Sequence, residues 1–204
     1  MKYKFYLNNF FFSFKKNLET KKNFYRYFNL TYTYQDLKKY INSFLNFLDK
    51  NQISNKSKIV ILSNKCFEMY ASSIAVFVSN NTWIPLSKNL PVERLEKILN
   101  ASKPDLLLFD SLEKEKKILV NKICEKLKIK LNSFSSIKRF SGNEAQPFNN
   151  KKISPNDLSM IFFTSGSTGE PKGIKLSYEN ILYCLYEQLK KIYKGSRNLS
   201  FGDY

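Results

Sequence analysis

Histidine is absent from this 204-residue chain, and arginine, glycine, proline and cysteine are scarce. Without imidazole, the chain forms no Ser-His or Cys-His catalytic pair and no histidine-ligated metal site. Cys66, Cys124 and Cys184 show no C-x-x-C spacing, so we expect free, buried thiols and no disulfide scaffold, zinc site or other metal site. No apolar run approaches the ~18 residues of a membrane span, and no signal cleavage site is evident. We therefore expect a cytoplasmic protein with no membrane partner.

Charge of one sign dominates the chain, with a net charge of +17. Basic surfaces attract phosphates, which suggests a nucleic-acid partner. However, only 4 of the 34 basic residues are arginine, the better base and phosphate ligand. The lysines are also scattered in pairs such as Lys15-Lys16 and Lys38-Lys39. We expect no nucleic-acid partner, and a basic nucleic-acid-binding module remains the least favoured alternative.

Short apolar runs typical of buried strands alternate with helical patterns along the chain. Strands are predicted at 58–62, 82–85, 105–109 and 158–163, and helices at 34–48, 65–79, 91–101, 112–127 and 178–193. The strands lack in–out alternation, as expected of strands covered on both faces. The pattern predicts an α/β fold with a largely parallel sheet flanked by helices. Residues 1–29 are expected to be an irregular lead-in with at most one short helix, and residues 132–157 a long loop or weakly structured linker.

Half of the glycines lie in one stretch, FFTSGSTGEPKG (162–173), directly after a predicted strand. Glycines let backbone N–H groups converge on an anion, hydroxyls add donors, and a lysine adds a charge. The stretch therefore predicts a phosphate cradle, although a plain surface turn has the same composition. Its candidate phosphate-binding residues are Thr164, Ser165, Gly166, Ser167, Thr168, Gly169 and Lys172. A Walker P-loop does not fit, because Lys172 follows a proline and a glycine occupies the Ser/Thr position. Phe162 and Phe163 are expected to be buried.

The segment FTSGSTGEPKG (163–173) resembles the phosphate-loop signature of the adenylate-forming, or AMP-binding, superfamily. Three upstream segments resemble the same family in its order and spacing. They are LTYTYQDL (30–37), WIPL (83–86) followed by LPVERL (90–95), and KPDLLL (103–108). The resemblance covers roughly residues 30–185, and it implies part of the family's large amino-terminal domain.

The resemblance implies a two-step reaction with ATP and Mg²⁺. A carboxylate attacks the α-phosphate and releases pyrophosphate, and the acyl group then passes to coenzyme A or to a phosphopantetheine carrier protein. The loop residues would hold the β- and γ-phosphates, with Lys172 as the candidate catalytic residue. Ser167 and the P-x-E-R-L segment resemble amino-acid-activating members such as D-alanine–carrier-protein ligases. A fatty-acyl-CoA synthetase is the alternative.

The sequence departs from the family pattern in three places. Tyr178 stands where the family usually has histidine, and residues 79–82 lack a usual glycine. The segments that supply the ribose-binding aspartate, the magnesium-holding glutamate, most of the acyl pocket and the carboxyl-terminal domain have no counterpart. We therefore expect residues 30–204 to be a partial, truncated adenylation domain that forms no acyl-adenylate alone. A fragment of a working ligase and an inactive remnant that binds nucleotide weakly both remain open.

Overall fold

A computed structural model of the chain describes residues 2–140, 153–165 and 170–195. Seven helices and eight strands occupy these residues. The helices are α1 (Lys2–Leu18), α2 (Tyr34–Lys50), α3 (Phe67–Val78), α4 (Val92–Ser102), α5 (Lys114–Leu127), α6 (Phe134–Lys138) and α7 (Tyr178–Gly195). The strands are β1 (Asn23–Tyr27), β2 (Leu30–Thr33), β3 (Lys58–Leu62), β4 (Thr82–Leu86), β5 (Leu106–Phe109), β6 (Lys130–Ser133), β7 (Leu158–Ser165) and β8 (Pro171–Ser177).

Six strands form the central sheet in the order β6-β5-β3-β4-β7-β8. Every neighbouring pair is parallel except β7 and β8, which are antiparallel. β1 and β2 form a separate antiparallel hairpin. The predicted α/β fold with a largely parallel sheet is confirmed.

Each face of the sheet carries its own apolar core. Ile59 and Ile61 of β3 pack towards α1, α2, α3 and α6, whereas Val60 and Leu62 pack towards α4 and α5. Because successive side chains of a strand point to opposite faces, a strand covered on both sides reads as a continuous apolar run. This explains the KIVIL sequence of β3.

Pro85 lies inside β4, between β3 and β7. The Leu86 carbonyl accepts a bond from Ser63 N and Thr82 N donates to Ser57 O, so these two residues turn their backbone groups towards β3. Alternate residues face the other neighbour, and Pro85 therefore offers no N–H to β7. Within the described residues, the register of β4 and β7 rests on one pair, Trp83 with Met160.

The lead-in over residues 1–29 is more regular than predicted, since its helix is long and a strand follows it. Residues 2–18 form α1, and residues 23–27 form β1. Phe14 and Leu18 are buried against the core, and Phe10 contacts Phe77 of α3 with ring centroids 5.2 Å apart. Apolar residues at 7, 10, 11, 14 and 18 have helical spacing, which the polar pair at 8–9 obscured. Tertiary packing, rather than local propensity, stabilises this helix.

The prediction of a loop over residues 132–157 is wrong for residues 132–138. β6 pairs with β5, and α6 follows it immediately, with Phe134 and Ile137 buried in the core. Residues 141–152 lie outside the described part of the chain.

Cys124 is buried as expected, but Cys184 is exposed on α7. Among the described helices, none has the length and apolar composition that a membrane span requires.

Candidate functional site

The glycine-rich stretch forms the connection of an antiparallel hairpin made by β7 and β8. Phe163 pairs with Gly173, Thr164 with Lys172, and Ser165 with Pro171. The connection therefore leaves one strand and enters the next, and α7 begins only at Tyr178. An anion held there would rely on backbone N–H groups and side chains, without a helix N-terminus directly behind it.

Two of the predicted phosphate-binding side chains lie opposite each other across this hairpin. Thr164 Oγ1 donates to the Lys172 carbonyl oxygen at 3.5 Å, the outer limit of a hydrogen bond. Lys172 is exposed and forms no ion pair within the described part of the chain. Both side chains thus have donors to offer to an anion. The backbone of Ser165 ends β7. The remaining predicted residues, Gly166, Ser167, Thr168 and Gly169, lie outside the described residues.

Gly173 lies where a side chain would be crowded. A Cβ atom built at this position would lie 3.2 Å from Ile161 Cγ2 and 3.2 Å from two ring carbons of Phe163. These contacts are tighter than ordinary van der Waals contacts, so the ring of Phe163 occupies the space over the glycine. Phe163, before the loop, therefore packs directly against Gly173, after it.

Phe162 and Phe163 lie in different environments. Phe163 is half-buried against the core beneath α4, whereas Phe162 is 51% exposed. The prediction that both are buried is therefore wrong for Phe162. Alternating side chains explain the difference, because Phe162 pairs with exposed Ile174 on the face that also carries Thr164 and Lys172.

Glu170, at the end of the loop, is held by an ion pair that the sequence did not predict. Its Oε1 lies 2.6 Å from Lys97 Nζ on α4. Both side chains are at least half exposed, so the pair contributes little stability. Its effect is to link the loop to the helix layer. The two residues lie 73 positions apart, and no sequence period joins them.

A cavity of about 440 Å³ lies on the other face of the hairpin, beneath the end of α4. Pro171, Gly173 and Lys175 of β8 line it, which follows from strand alternation. Lys56 Nζ donates to Asp157 at 2.8 Å, and Lys58 Nζ donates to the Ser102 carbonyl oxygen. Lys172 does not line this cavity, because Lys172 and Lys175 lie on opposite faces of β8.

Asp157 fixes the start of β7. Its carboxylate accepts bonds from Lys56 Nζ, from Ser154 N at 3.0 Å and from Asn80 Nδ2 at 3.4 Å. Burial alone would raise the pKa of this carboxyl, but the three hydrogen bonds outweigh burial and lower it. The Asp157 carbonyl also accepts from Tyr178 N, which joins the start of α7 to the same point.

Tyr178 occupies the position of the family's usual histidine and has a structural role. Its side chain is completely buried, and its hydroxyl donates to the Phe77 carbonyl at 2.7 Å and lies 3.3 Å from the Asn81 carbonyl. Beside it, Asn180 Oδ1 accepts from Ser177 N and Oγ, while Ser177 Oγ accepts from Asn180 N. These reciprocal bonds cap α7. The side chain therefore anchors α7 to α3, away from the loop.

Acidic side chains do not gather into a metal site in the described ranges. No group of three or more Cys, Asp or Glu residues there is placed to ligate an ion.

A sequence profile of the family described as AMP-binding enzyme matches residues 14–202. One of the subunits of plipastatin synthase from Bacillus subtilis is 28% identical over 155 residues, which cover 74% of this chain and 6% of that protein. D-alanine–D-alanyl carrier protein ligase of Streptococcus pneumoniae is 29% identical over 154 residues, covering 74% of this chain and 28% of the ligase. The chain thus spans less than a third of either relative.

Solved structures show the same fold. VinN superimposes with a TM-score of 0.70 at 19% identity, over 87% of this chain and 46% of VinN. McyG A-PCP, solved with phenylalanyl-adenylate, superimposes with a TM-score of 0.70 at 23% identity, over 92% of this chain and 30% of that one. The expectation that the chain corresponds to part of the amino-terminal domain of adenylate-forming enzymes is confirmed.

Proposed function

The chain belongs to the AMP-binding enzyme family, and we propose that it is the phosphate-holding, amino-terminal part of an ATP-dependent acid–thiol ligase. The observation that carries this proposal is the β7–β8 hairpin. It pairs Thr164 with Lys172 across the two strands, where the glycine-rich loop begins and ends.

The residues on this hairpin fit a polyphosphate. Lys172 supplies a mobile point charge, and Thr164 supplies a hydroxyl donor that holds only a weak bond within the protein. The loop from Ser165 to Gly169 would add backbone N–H donors. In the proposed reaction, a carboxylate oxygen bonds to the α-phosphorus of ATP, and the α–β phosphoanhydride bond breaks with its electron pair on pyrophosphate. Lys172 would stabilise the charge that develops on this leaving group.

An amino acid is the proposed carboxylate substrate. One similar protein is named as a ligase of D-alanine, and similar structures contain phenylalanyl-adenylate or L-aspartate. The thiol acceptor that we propose is a phosphopantetheine carrier protein, because the similar protein from Streptococcus pneumoniae is named as a D-alanyl carrier protein ligase. Coenzyme A is the alternative acceptor, with a fatty acid as the corresponding acyl group.

Pyrophosphate binding tests the proposal on the chain as it is. Lys172→Ala should weaken binding by about 10- to 150-fold, the range that a charged hydrogen bond supports, when measured by isothermal titration calorimetry. Lys175→Ala is the matched control, because it removes the same charge from the opposite face of the same strand. Equal effects of the two changes, or no pyrophosphate binding, would refute the phosphate-holding role and favour an inactive remnant.

Exchange of pyrophosphate into ATP tests whether this part of the fold suffices for chemistry. We expect no amino-acid-dependent exchange by the chain alone, because the hairpin supplies one wall of a nucleotide site. Exchange that depends on an added amino acid would show that these residues complete the reaction without further segments.

A further inference from the structure

The tip of the β1–β2 hairpin, residues 26–31, exposes a group of large apolar side chains. All six residues are exposed, and Tyr27, Phe28 and Leu30 are 48%, 84% and 58% accessible. Single exposed apolar residues are common on proteins. Here three of them lie at the end of one projecting hairpin, together with Arg26.

Phe28 is unfavourable here for a second reason. Its φ angle is 49°, in the left-handed region that glycine and asparagine adopt most readily. It begins the turn that joins Tyr27 to Leu30, which pair across the hairpin. A bulky side chain at such a position is strained even when it makes contacts, and Phe28 contacts solvent over most of its surface. Its ring contacts the Tyr27 ring edge-on, with centroids 4.6 Å apart, and this contact leaves 84% of Phe28 accessible.

The base of the hairpin is firmly attached. The rings of Tyr32 and Phe67 stack with centroids 4.1 Å apart, and Phe24 contacts the same Phe67 ring edge-on at 6.3 Å. Tyr25 lies 5.2 Å from Tyr70 of α3. The base of the hairpin is thus packed against α3, and the tip residues lie beyond these ring contacts.

Between Glu19 and Asp36, which lie at the base of the hairpin, the segment carries only positive charge. Residues 20–35 contain Lys21, Lys22 and Arg26 and no acidic residue, in a chain of net charge +17. Arg26 Nε donates across the hairpin to Thr31 Oγ1 at 3.3 Å, which uses one of its five N–H groups. Four tyrosines and two phenylalanines accompany these cations in the same segment.

We propose that the 26–31 tip docks onto an anionic lipid surface, with Phe28 and Leu30 entering the boundary between headgroups and acyl chains. Tyrosine and arginine suit the headgroup level, since each joins an apolar body to a polar end. Cations beside the tip meet the negative surface potential. A protein partner fits less well, because a stable interface buries about 800 Å² per side and three side chains on a turn offer far less.

This contact is peripheral and needs no spanning helix. The proposal departs from the expectation that the chain has no membrane partner. It does not depend on the proposed ligase function, because the hairpin lies on the α2–α3 side of the sheet and shares no residue with the β7–β8 loop.

Vesicle co-sedimentation tests the proposal with the chain as it is. The probes are vesicles of phosphatidylglycerol and phosphatidylcholine and vesicles of phosphatidylcholine alone. We expect binding to the anionic vesicles and about tenfold weaker binding for Phe28→Asn. Asparagine tolerates a positive φ, so this variant keeps the turn. Ile118→Gln is the matched control, since Ile118 is 50% exposed on α5 across the sheet and should bind like the parent.

Three outcomes would overturn the proposal. The first is no binding to anionic vesicles. The second is binding that disappears in high salt and is unaffected by Phe28→Asn, which would reflect only the net charge of the chain. The third is a dimer that Phe28→Asn abolishes in the absence of vesicle binding, which would make the tip a self-association surface.

Fluorescence gives an independent readout of insertion. Phe28→Trp should show a blue-shifted emission with anionic vesicles and quenching by brominated lipid, relative to the parent with Trp83 alone. An unshifted and unquenched emission would place the tip outside the lipid and refute the proposal.

Discussion

Replacing Gly173 by alanine tests the packing of the loop hairpin most directly. The added Cβ would meet Ile161 Cγ2 and the Phe163 ring at 3.2 Å. Overpacking of this kind typically costs about 1–3 kcal/mol, while alanine in a strand regains about 0.5–1 kcal/mol relative to glycine. Ile161 is buried and β-branched, so it yields little, whereas Phe163 is half-buried and can move outwards. We expect Gly173→Ala to lower the free energy of unfolding by about 1 kcal/mol.

A double-mutant cycle identifies the ring as the cause. Phe163→Leu removes two of the three close contacts, so Gly173→Ala should cost less in that background, with a coupling of about 0.5–1 kcal/mol in urea unfolding followed by circular dichroism. Phe162→Leu is the control, because Phe162 lies on the same strand but points to the other face. If Gly173→Ala costs the same in the parent and in the Phe163→Leu variant, contact with the Phe163 ring is not the cause of that cost.

Three further predictions concern contacts around the hairpin. Tyr178→Phe should destabilise the chain by about 1–2 kcal/mol in urea unfolding, because it removes the donor to the Phe77 carbonyl, and an unchanged midpoint would contradict the anchoring role. Asp157→Asn should lower the free energy of unfolding at pH 7, and its difference from the parent should shrink below about pH 4. Folding lowers the pKa of Asp157, so its contribution is present above the unfolded pKa and is lost on acidification. A difference that does not change with pH would contradict this. Lys97 and Glu170 should show a coupling below about 1 kcal/mol that disappears in 1 M salt, and a larger, salt-resistant coupling would mean that the pair is more than an exposed tether.

Local sequence patterns were sufficient for most of the sheet and for the helices packed on it. The apolar face of α2 is an example, since Leu37, Tyr40, Ile41, Phe44 and Leu48 follow the predicted period and are all buried. The pattern was insufficient for α1, where packing against Phe77 decides the structure. It was also insufficient for Phe162, because an apolar run does not reveal which strand face lacks a covering layer.

The position of the candidate site in the sequence was predictable, whereas the pairing of its residues in the fold was not. The spacing of glycines, hydroxyls and Lys172 located the loop, but the pairing of Thr164 with Lys172 emerges only from the register of β7 and β8. The Lys97–Glu170 contact depends on where α4 crosses the sheet, which no local pattern encodes. Tyr178 shows the same limit, since its family position gave no indication of a buried anchor.

The weak pairing of β4 with β7 has a consequence for cooperativity. Pro85 has no N–H to donate to β7, so one backbone hydrogen bond between the strands is missing. The Thr82 hydroxyl donates to the Leu158 carbonyl at 3.0 Å and adds a side-chain bond where the two strands begin. We therefore expect the β7–β8 hairpin to open as a unit with its own local stability, at a lower free energy than β3, β4 and β5. Amide hydrogens of β7 and β8 should exchange together and faster than those of β3.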